Sequence, residues 1–196
     1  QKHGLKFGVY LSPADLHEKS YGDSPRYDAF FLGQLRELLT NYGEIAEVWF
    51  DGATPKDKGQ VHDWPAYYKL IRELQPGAVI FGRGPDVRWV GNEAGRGRES
   101  EWSVVALDGA IDTSPTPDLT DADLGGLAQL RTASVLHWYP AETDTSIRPG
   151  WFWHENENDR VRSLDDLMNC WYGAVGGNSQ LLLNVPADRR GRLADG

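Results

Sequence analysis

Cysteine is almost absent from this 196-residue chain: Cys170 stands alone. Neither an intrachain disulfide framework nor a multi-cysteine zinc site can be built from one thiol. Cys170 sits in an apolar helical stretch, where a buried structural role is expected rather than a nucleophilic one. Long apolar runs are missing too. No segment approaches the ~18 residues that read as a membrane span, so no membrane partner is expected, and no secretory signal is visible ahead of the opening Gln1-Lys2-His3. Basic charge is scarce. Twenty Lys and Arg face 29 Asp and Glu, a formal charge of −9. Nucleic-acid binding needs a basic face, and the short clusters Arg96/Arg98 and Arg189/Arg190/Arg192 read as solvated surface. His17, His62, His137 and His154 show no metal-ligand spacing such as His-Glu-x-x-His. No metal and no organic cofactor are expected.

What remains is ordinary globular composition, 40 % apolar and 25 % charged, with eight tryptophans and eight tyrosines. Aromatic rings fill cores and also stack on the apolar faces of sugars. Residues 5–11 (Leu-Lys-Phe-Gly-Val-Tyr-Leu) read as a strand closed by Ser12-Pro13. After a polar loop, Phe30, Phe31, Leu35, Leu38, Leu39 and Tyr42 fall at helical spacing over residues 27–42, and Gly43 is a natural stop. Residues 46–50 form the next strand. Residues 64–74 form a second amphipathic helix, with Pro65 in its first turn. Residues 78–81 form a third strand. This is the βαβ rhythm of a parallel sheet. A long segment, residues 82–123, follows; connections of that length in compact domains are usually functional or disordered. Residues 134–139 read as a fourth strand, with His137 and Trp138 packed inside it. Ser163 reads as an N-cap, with Asp165 and Asp166 in the first turn of a helix running to Val175. Residues 180–185 form a last strand, continuous enough to be covered on both faces. The class is α/β. About five strands and three helices do not close an eight-stranded barrel of ~250 residues. The chain is either an open sheet or the later part of a barrel whose first strands are absent.

The stretch Glu47-Val48-Trp49-Phe50-Asp51-Gly52-Ala53 holds one carboxylate at the end of a buried strand. Active sites of parallel α/β proteins lie at the carboxyl ends of strands, so Asp51 is placed to act as a nucleophile. Asp before Gly is also an ordinary turn pair, and both readings stay open on spacing alone. Asp86, Glu93, Glu99 and Glu101 leave the next strand at the same rim. Two carboxyls on neighbouring strand ends are what glycoside cleavage needs: one attacks or stabilises the anomeric carbon, the other protonates the leaving oxygen. A proton donor near neutral pH wants an apolar or anionic setting, and Glu93 follows Trp89 closely.

The runs Gly4-Leu5-Lys6-Phe7-Gly8-Val9-Tyr10-Leu11-Ser12-Pro13 and Glu47-Val48-Trp49-Phe50-Asp51-Gly52-Ala53 resemble the retaining α-L-fucosidases of glycoside hydrolase family 29. So does Pro85-Asp86-Val87-Arg88-Trp89-Val90-Gly91-Asn92-Glu93-Ala94-Gly95, followed by Glu101-Trp102-Ser103. Pro140-Ala141-Glu142, Ser146-Ile147-Arg148-Pro149-Gly150-Trp151-Phe152 and Leu181-Leu182-Leu183-Asn184-Val185-Pro186 continue the likeness in order. The Trp-Val-Gly-Asn-Glu-Ala-Gly form resembles the branch preferring α-1,3 and α-1,4 fucosyl linkages. The resemblance implies that residues 1–196 are one partial catalytic domain, the later strands of an incomplete (β/α)8 TIM-like barrel, from a secreted or periplasmic exo-acting enzyme on fucosylated glycans. It makes Asp51 the nucleophile and Glu93 the general acid/base, about 5–5.5 Å apart as retention requires. Tyr10 and Trp49 line the fucose pocket, His17 and Arg88 are candidate sugar contacts, and Trp151 and Trp153 offer a stacking wall, one of them being core. Glu142 is a lesser candidate. Two departures stand out. The family's adjacent histidines have no counterpart here, and Arg83 replaces an expected acid or small polar residue.

Two other readings compete: a non-catalytic glycan-binding domain using tryptophan platforms, and a metal-dependent hydrolase. A barrel short of its opening strands would also expose sheet edges, so self-association is a further expectation.

Overall fold

Apolar residues four apart set the first helix. Tyr27, Phe31, Leu35 and Leu39 are its buried stripe, and the helix α1 spans Ser24–Asn41, three residues earlier than the periodicity suggests because Pro25 occupies its first turn. Tyr42 falls beyond it and is exposed. The computed structural model that gives this geometry describes residues 3–52, 55, 58–99, 101–111 and 115–193. Ala53, the last residue of the Asp51 motif, lies outside them. The chain divides into two compact units, residues 1–88 with 109–117, and residues 89–108 with 118–196. Each is taken on its own.

In the first unit, α1 lies between strands β1 (Gly8–Tyr10) and β2 (Glu47–Phe50), and helix α2 (Trp64–Leu74) lies between β2 and β3 (Val79–Gly82). The three strands form one parallel sheet in the order β1-β2-β3. Its register sets Val9 beside Val48 beside Ile80, and Tyr10 beside Trp49 beside Phe81. Side chains alternate along strands. Val48, Phe50 and Ile80 join the α1 stripe and Tyr67, Leu70 and Ile71 of α2 in one solvent-excluded core. Burying each large side chain there is worth about 1.5–3 kcal/mol. Asp63 caps α2 by accepting from the Ala66 amide (3.1 Å). Gln75, just past α2, donates to the carbonyls of Leu39 and Gly43 and accepts from the Ile45 amide, so one side chain satisfies backbone groups where α1 ends and β2 approaches.

In the second unit, β4 (Arg88–Trp89), at the point where the chain leaves the first unit, β7 (Ala141–Ser146) and β8 (Gln180–Asn184) form a sheet in the order β4-β7-β8. β7 and β8 are parallel, from Glu142 beside Gln180 to Ser146 beside Asn184. β5 (Val104–Ala106) and β6 (Leu136–Trp138) form a separate antiparallel ribbon, with the short helix α3 (Leu127–Thr132) between them in sequence. Helix α4 (Leu164–Ala174) is capped as expected, the Ser163 hydroxyl accepting from the Asp166 amide (3.2 Å). Cys170 is fully buried in it.

Three expectations fail here. The expected fourth strand is the ribbon strand β6, not a member of the parallel sheet. The parallel strand is β7, which has no apolar run: Ala-Glu-Thr-Asp-Thr-Ser is buried throughout. Trp138 is 71 % exposed rather than packed, because a two-stranded ribbon has one uncovered face. β8 is half-buried, with Leu183 38 % exposed, because it ends the strand order instead of lying inside it.

His62 precedes α2 within a ring of aromatics. Trp64, Tyr27, Tyr67 and Tyr21 lie 5.4, 5.9, 6.3 and 6.4 Å from it, centroid to centroid. Neither ring nitrogen finds a hydrogen bond among the described residues. Burial holds its pKa below the usual 6.5, and the Asp28 carboxylate, already bonded by the Tyr67 hydroxyl, only partly opposes that. Folding thus favours neutral imidazole. The corresponding stability is fully present above the unfolded value of 6.5 and is lost as pH falls through the lower folded value. We expect the melting-temperature gap between wild type and His62→Phe to change steadily in the variant's favour from pH 7 to pH 5. A gap independent of pH in thermal melts would remove His62 as the titrating group.

Candidate active site

β2 ends because its apolar alternation ends. Phe50 is the last residue in the core, and Asp51 follows Trp49 by two, on the face of the sheet turned away from α1 and α2. That face carries a row of rings fixed by the register. Tyr10 and Trp49 stack with centroids 5.2 Å apart and planes at 27°, and Trp49 and Phe81 at 4.4 Å and 24°. The Tyr10 hydroxyl donates to Asp51 Oδ2 at 2.6 Å. Burial and then the Asp51 carboxylate push the Tyr10 pKa up to about 12, so the phenol remains a donor across the physiological range. One oxygen of Asp51 is thereby held in place.

Arg83 lies over Gly52, where a Cβ would sit 2.9 Å from Arg83 Nη2 and would oblige the end of that side chain to shift. The Arg83 guanidinium donates to the Gly52 carbonyl (3.3 Å) and to the Thr116 carbonyl (2.9 Å). The Tyr68 hydroxyl donates to the carbonyl of Arg83 itself. The residue that looked out of place in the sequence thus ties together the turns that follow β2 and β3. His17 is exposed in the loop after β1 and its ring has no hydrogen bond among the described residues. Arg88 is 2 % exposed, which rules out its reading as an ordinary surface ion-pair partner.

The four loop acids separate cleanly. Asp86 accepts three bonds, two from Arg72 Nη2 at 2.6 Å and one from the Ile80 amide at 2.7 Å. Glu101 is buried against Arg98 Nη1 at 3.1 Å, and Arg98 also caps the carbonyls of Val90, Leu119 and Asp121. Both acids are committed to structure. Glu93 and Glu99 are exposed.

Glu93 stands at the crest of a braced loop. Asn92 Oδ1 accepts from the Ala94 amide (2.9 Å), an Asx turn around Glu93. The Gly95 amide then donates to the Asp144 carbonyl on β7 (3.2 Å). Gly95 has φ +71°, and a Cβ would come within 2.8 Å of Thr145 Cγ2; only glycine returns the loop so close to β7. Trp89 Nε1 donates to Asp144 Oδ1 (2.9 Å). Asp144 was not singled out from sequence, although Glu142 and Asp144, two apart, were the available signal. Glu142 is the second residue of β7 rather than the end of a strand; it is buried, and Gln180 Nε2 donates to it. That makes it a sheet residue and weakens it as a sugar contact.

Trp151 and Trp153 are each half-buried, so neither is a core residue. The Trp151 carbonyl accepts from Asn184 Nδ2 (2.9 Å), and Trp153 Nε1 donates to Asn158 Oδ1 (3.2 Å). Tyr10, Trp49, Asp51 and Arg83 come together in the first unit. Glu93, Trp151 and Trp153 belong to the second. Among the described residues no three His, Cys, Asp or Glu side chains come together to hold a metal ion.

The family model "Alpha-L-fucosidase" matches residues 1–196. Alpha-L-fucosidase 1 of Arabidopsis thaliana is 42 % identical over 196 residues, which is 98 % of this chain and 36 % of the plant protein. A putative alpha-L-fucosidase from Bacteroides ovatus superposes with a TM-score of 0.90 at 50 % identity, covering 99 % of this chain and 35 % of its own. A Ruminococcus gnavus family 29 fucosidase, solved in complex with fucose, superposes with a TM-score of 0.83 at 29 % identity, covering 99 % of this chain and 43 % of its own. The chain thus spans about a third of the curated relative's length. With the match running from its first residue to its last, and with Asp51 at the end of a parallel strand under a tyrosine hydroxyl, the chain belongs to the alpha-L-fucosidase family of glycoside hydrolases.

Proposed function

We propose that this chain carries the catalytic carboxyls of an exo-acting, retaining α-L-fucosidase that removes terminal α-1,3- or α-1,4-linked fucose from glycans. The fold that goes with this reading is a (β/α)8 barrel to which these parallel strands contribute. The observation that supports it most is the 2.6 Å bond from Tyr10 to Asp51 on a sheet face lined by stacked rings. The fucose complex of the Ruminococcus gnavus relative supports the choice of sugar. The Trp89-Val90-Gly91-Asn92-Glu93-Ala94-Gly95 run supports the linkage.

In the first step an Asp51 carboxylate oxygen attacks the anomeric carbon as the glycosidic bond breaks, and Glu93 gives its proton to the departing oxygen. In the second, Glu93 takes a proton from water, whose oxygen attacks the same carbon and releases Asp51. Tyr10 holds one oxygen of Asp51, leaving the other for the anomeric carbon. Because its phenol stays protonated, Tyr10 offers the donor in both states of Asp51. Trp49 and Tyr10 give the apolar face of the sugar, including its methyl group, a wall to pack on. Arg83 fixes the backbone on the far side of Asp51.

Replacing Asp51 by Gly should cut cleavage of an aryl α-L-fucoside at least about a thousandfold, and azide should restore part of it as a fucosyl azide of inverted configuration. Full activity in Asp51→Gly would end this reading. Glu93→Gln should slow natural glycans by roughly 10²–10⁴-fold, far more than an aryl fucoside whose leaving group needs no proton. Equal losses on both substrates would move the acid role elsewhere, with Glu99 the next candidate. Tyr10→Phe removes a bond to a charged group, worth about 1.5–3 kcal/mol; kcat should drop roughly ten- to a hundredfold with KM little changed, as steady-state kinetics would show.

A further inference from the structure

The loop that carries Glu93 rests on two elements. One is β7: the Val90 amide donates to the Glu142 carbonyl (2.9 Å) before the loop, and Gly95 returns to Asp144 and Thr145 after it. The other is α4, from which the catalytic reading takes no residue. Leu164, Trp171 and Tyr172 of that helix are exposed, while Cys170 and Ala174 are fully buried. The covered face of α4 is thus built of small side chains, and the Glu93 loop lies against it.

Two residues of α4 make the contact. The Cys170 thiol donates to the Ala94 carbonyl (3.9 Å) and accepts from Arg162 Nη1 (3.2 Å), and a Cβ on Gly95 would come 3.1 Å from its Sγ. The Gly173 carbonyl accepts from the Gly97 amide (2.9 Å). Carbonyls in the last turn of a helix have no partner inside it, so the loop supplies one. Gly173 also marks the closest approach. It has no positive φ, so its backbone gives no reason for glycine, and alanine would favour the helix. Yet a Cβ there would lie 2.8 Å from Arg96 Cβ. That atom is tied to the loop backbone, so loop and helix would have to part by about 0.6 Å to reach ordinary contact at 3.4 Å.

We propose that α4 is the seat of the acid/base loop and that Gly173 is a positioning residue for proton transfer by Glu93. Gly173 touches no reacting atom. It lets Arg96 close on the helix and so fixes where the backbone of the Glu93 loop lies. Proton transfer works over one hydrogen-bond length, about 2.6–3.2 Å, so a displacement of more than half an ångström disturbs it. The inference rests on the role given to Glu93 above. It adds that a helix outside the catalytic constellation holds that acid in place.

The test compares Gly173→Ala with wild type on an α-1,3-fucosylated trisaccharide and on an aryl α-L-fucoside whose leaving group needs no proton. The ratio kcat/KM, which reports the bond-breaking step, should fall about tenfold on the trisaccharide and about twofold at most on the aryl fucoside. Removing the opposed Cβ should undo this: in an Arg96→Gly background, Gly173→Ala should cost about twofold or less on the trisaccharide. Hydrogen exchange reads the seat directly. The Gly97 amide should exchange roughly tenfold faster in Gly173→Ala, while the Leu167 amide, bonded to the Ser163 carbonyl at the other end of α4, keeps its rate. Equal losses on both substrates would overturn the proposal, as would a loss that Arg96→Gly does not relieve, or an unchanged Gly97 rate. Leaving-group dependence in Glu93→Gln without it in Gly173→Ala would remove the seat and keep the acid. Its absence from both would remove the acid as well.

Discussion

The position of Asp51 depends on the parallel register that sets Tyr10 beside Trp49 beside Phe81. Three rings stack across three strands only if those strands are aligned to the residue, and Asp51 then falls one alternation beyond Trp49, where the Tyr10 hydroxyl reaches it. A slip of one residue in β2 would reverse every side chain. Trp49 and the Asp51 carboxylate would turn toward Phe31 and Tyr67, while Val48 and Phe50 would face outward. An unpaired carboxylate in that core would cost several kcal/mol or stay protonated. The apolar core therefore holds the register, and the register in turn aims the acid.

The second unit reaches order by other means. β7 buries Glu142, Thr143, Asp144, Thr145 and Ser146 in succession, and a buried polar group is tolerable only when hydrogen-bonded. The partners are at hand: the Gln180 carbonyl for Thr143, Trp89 Nε1 for Asp144, Gln180 Nε2 for Glu142, and the Gly150 carbonyl and Asn184 for Ser146. Such a strand is held by its specific neighbours more than by area. It is also well suited to its surroundings, since the Asp144 carbonyl anchors the Glu93 loop and Ser146 braces the loop carrying Trp151.

That contrast sets how much could be read in the residues. The first unit was legible because apolar periodicity makes its elements: α1, α2 and three strands lie within a few residues of where the pattern puts them. β7 was not, because its side chains satisfy one another and leave no apolar signature. The neighbouring apolar run carries the strand signal instead, and it forms a ribbon strand with Trp138 uncovered. Of the four loop acids, sequence alone could not separate the committed from the available. Asp86 and its partner Arg72 are 14 residues apart, a pairing only the fold creates, although Arg98 three before Glu101 was a readable hint. Arg83 read as an oddity for the same reason, since its acceptors are the carbonyls of Gly52 and Thr116, 31 and 33 residues away.

The two acids of the proposed mechanism are built in opposite ways, and the chemistry asks for that difference. A nucleophile must be ionised and pointed before substrate arrives. A fixed donor on one oxygen and a strand end beneath it point Asp51 in advance, and the reaction gains because little reorganisation is left to the transition state. An acid/base must surrender a proton in one step and recover it in the next. A strong fixed partner would hold it in one state, as Arg72 holds Asp86 and Arg98 holds Glu101. Glu93 has no such partner among the described residues, yet the turn beneath it is braced at Asn92 and cannot drift at Gly95. A braced backbone carrying an uncommitted carboxyl leaves the side chain free to turn toward a bound sugar while its base stays in place.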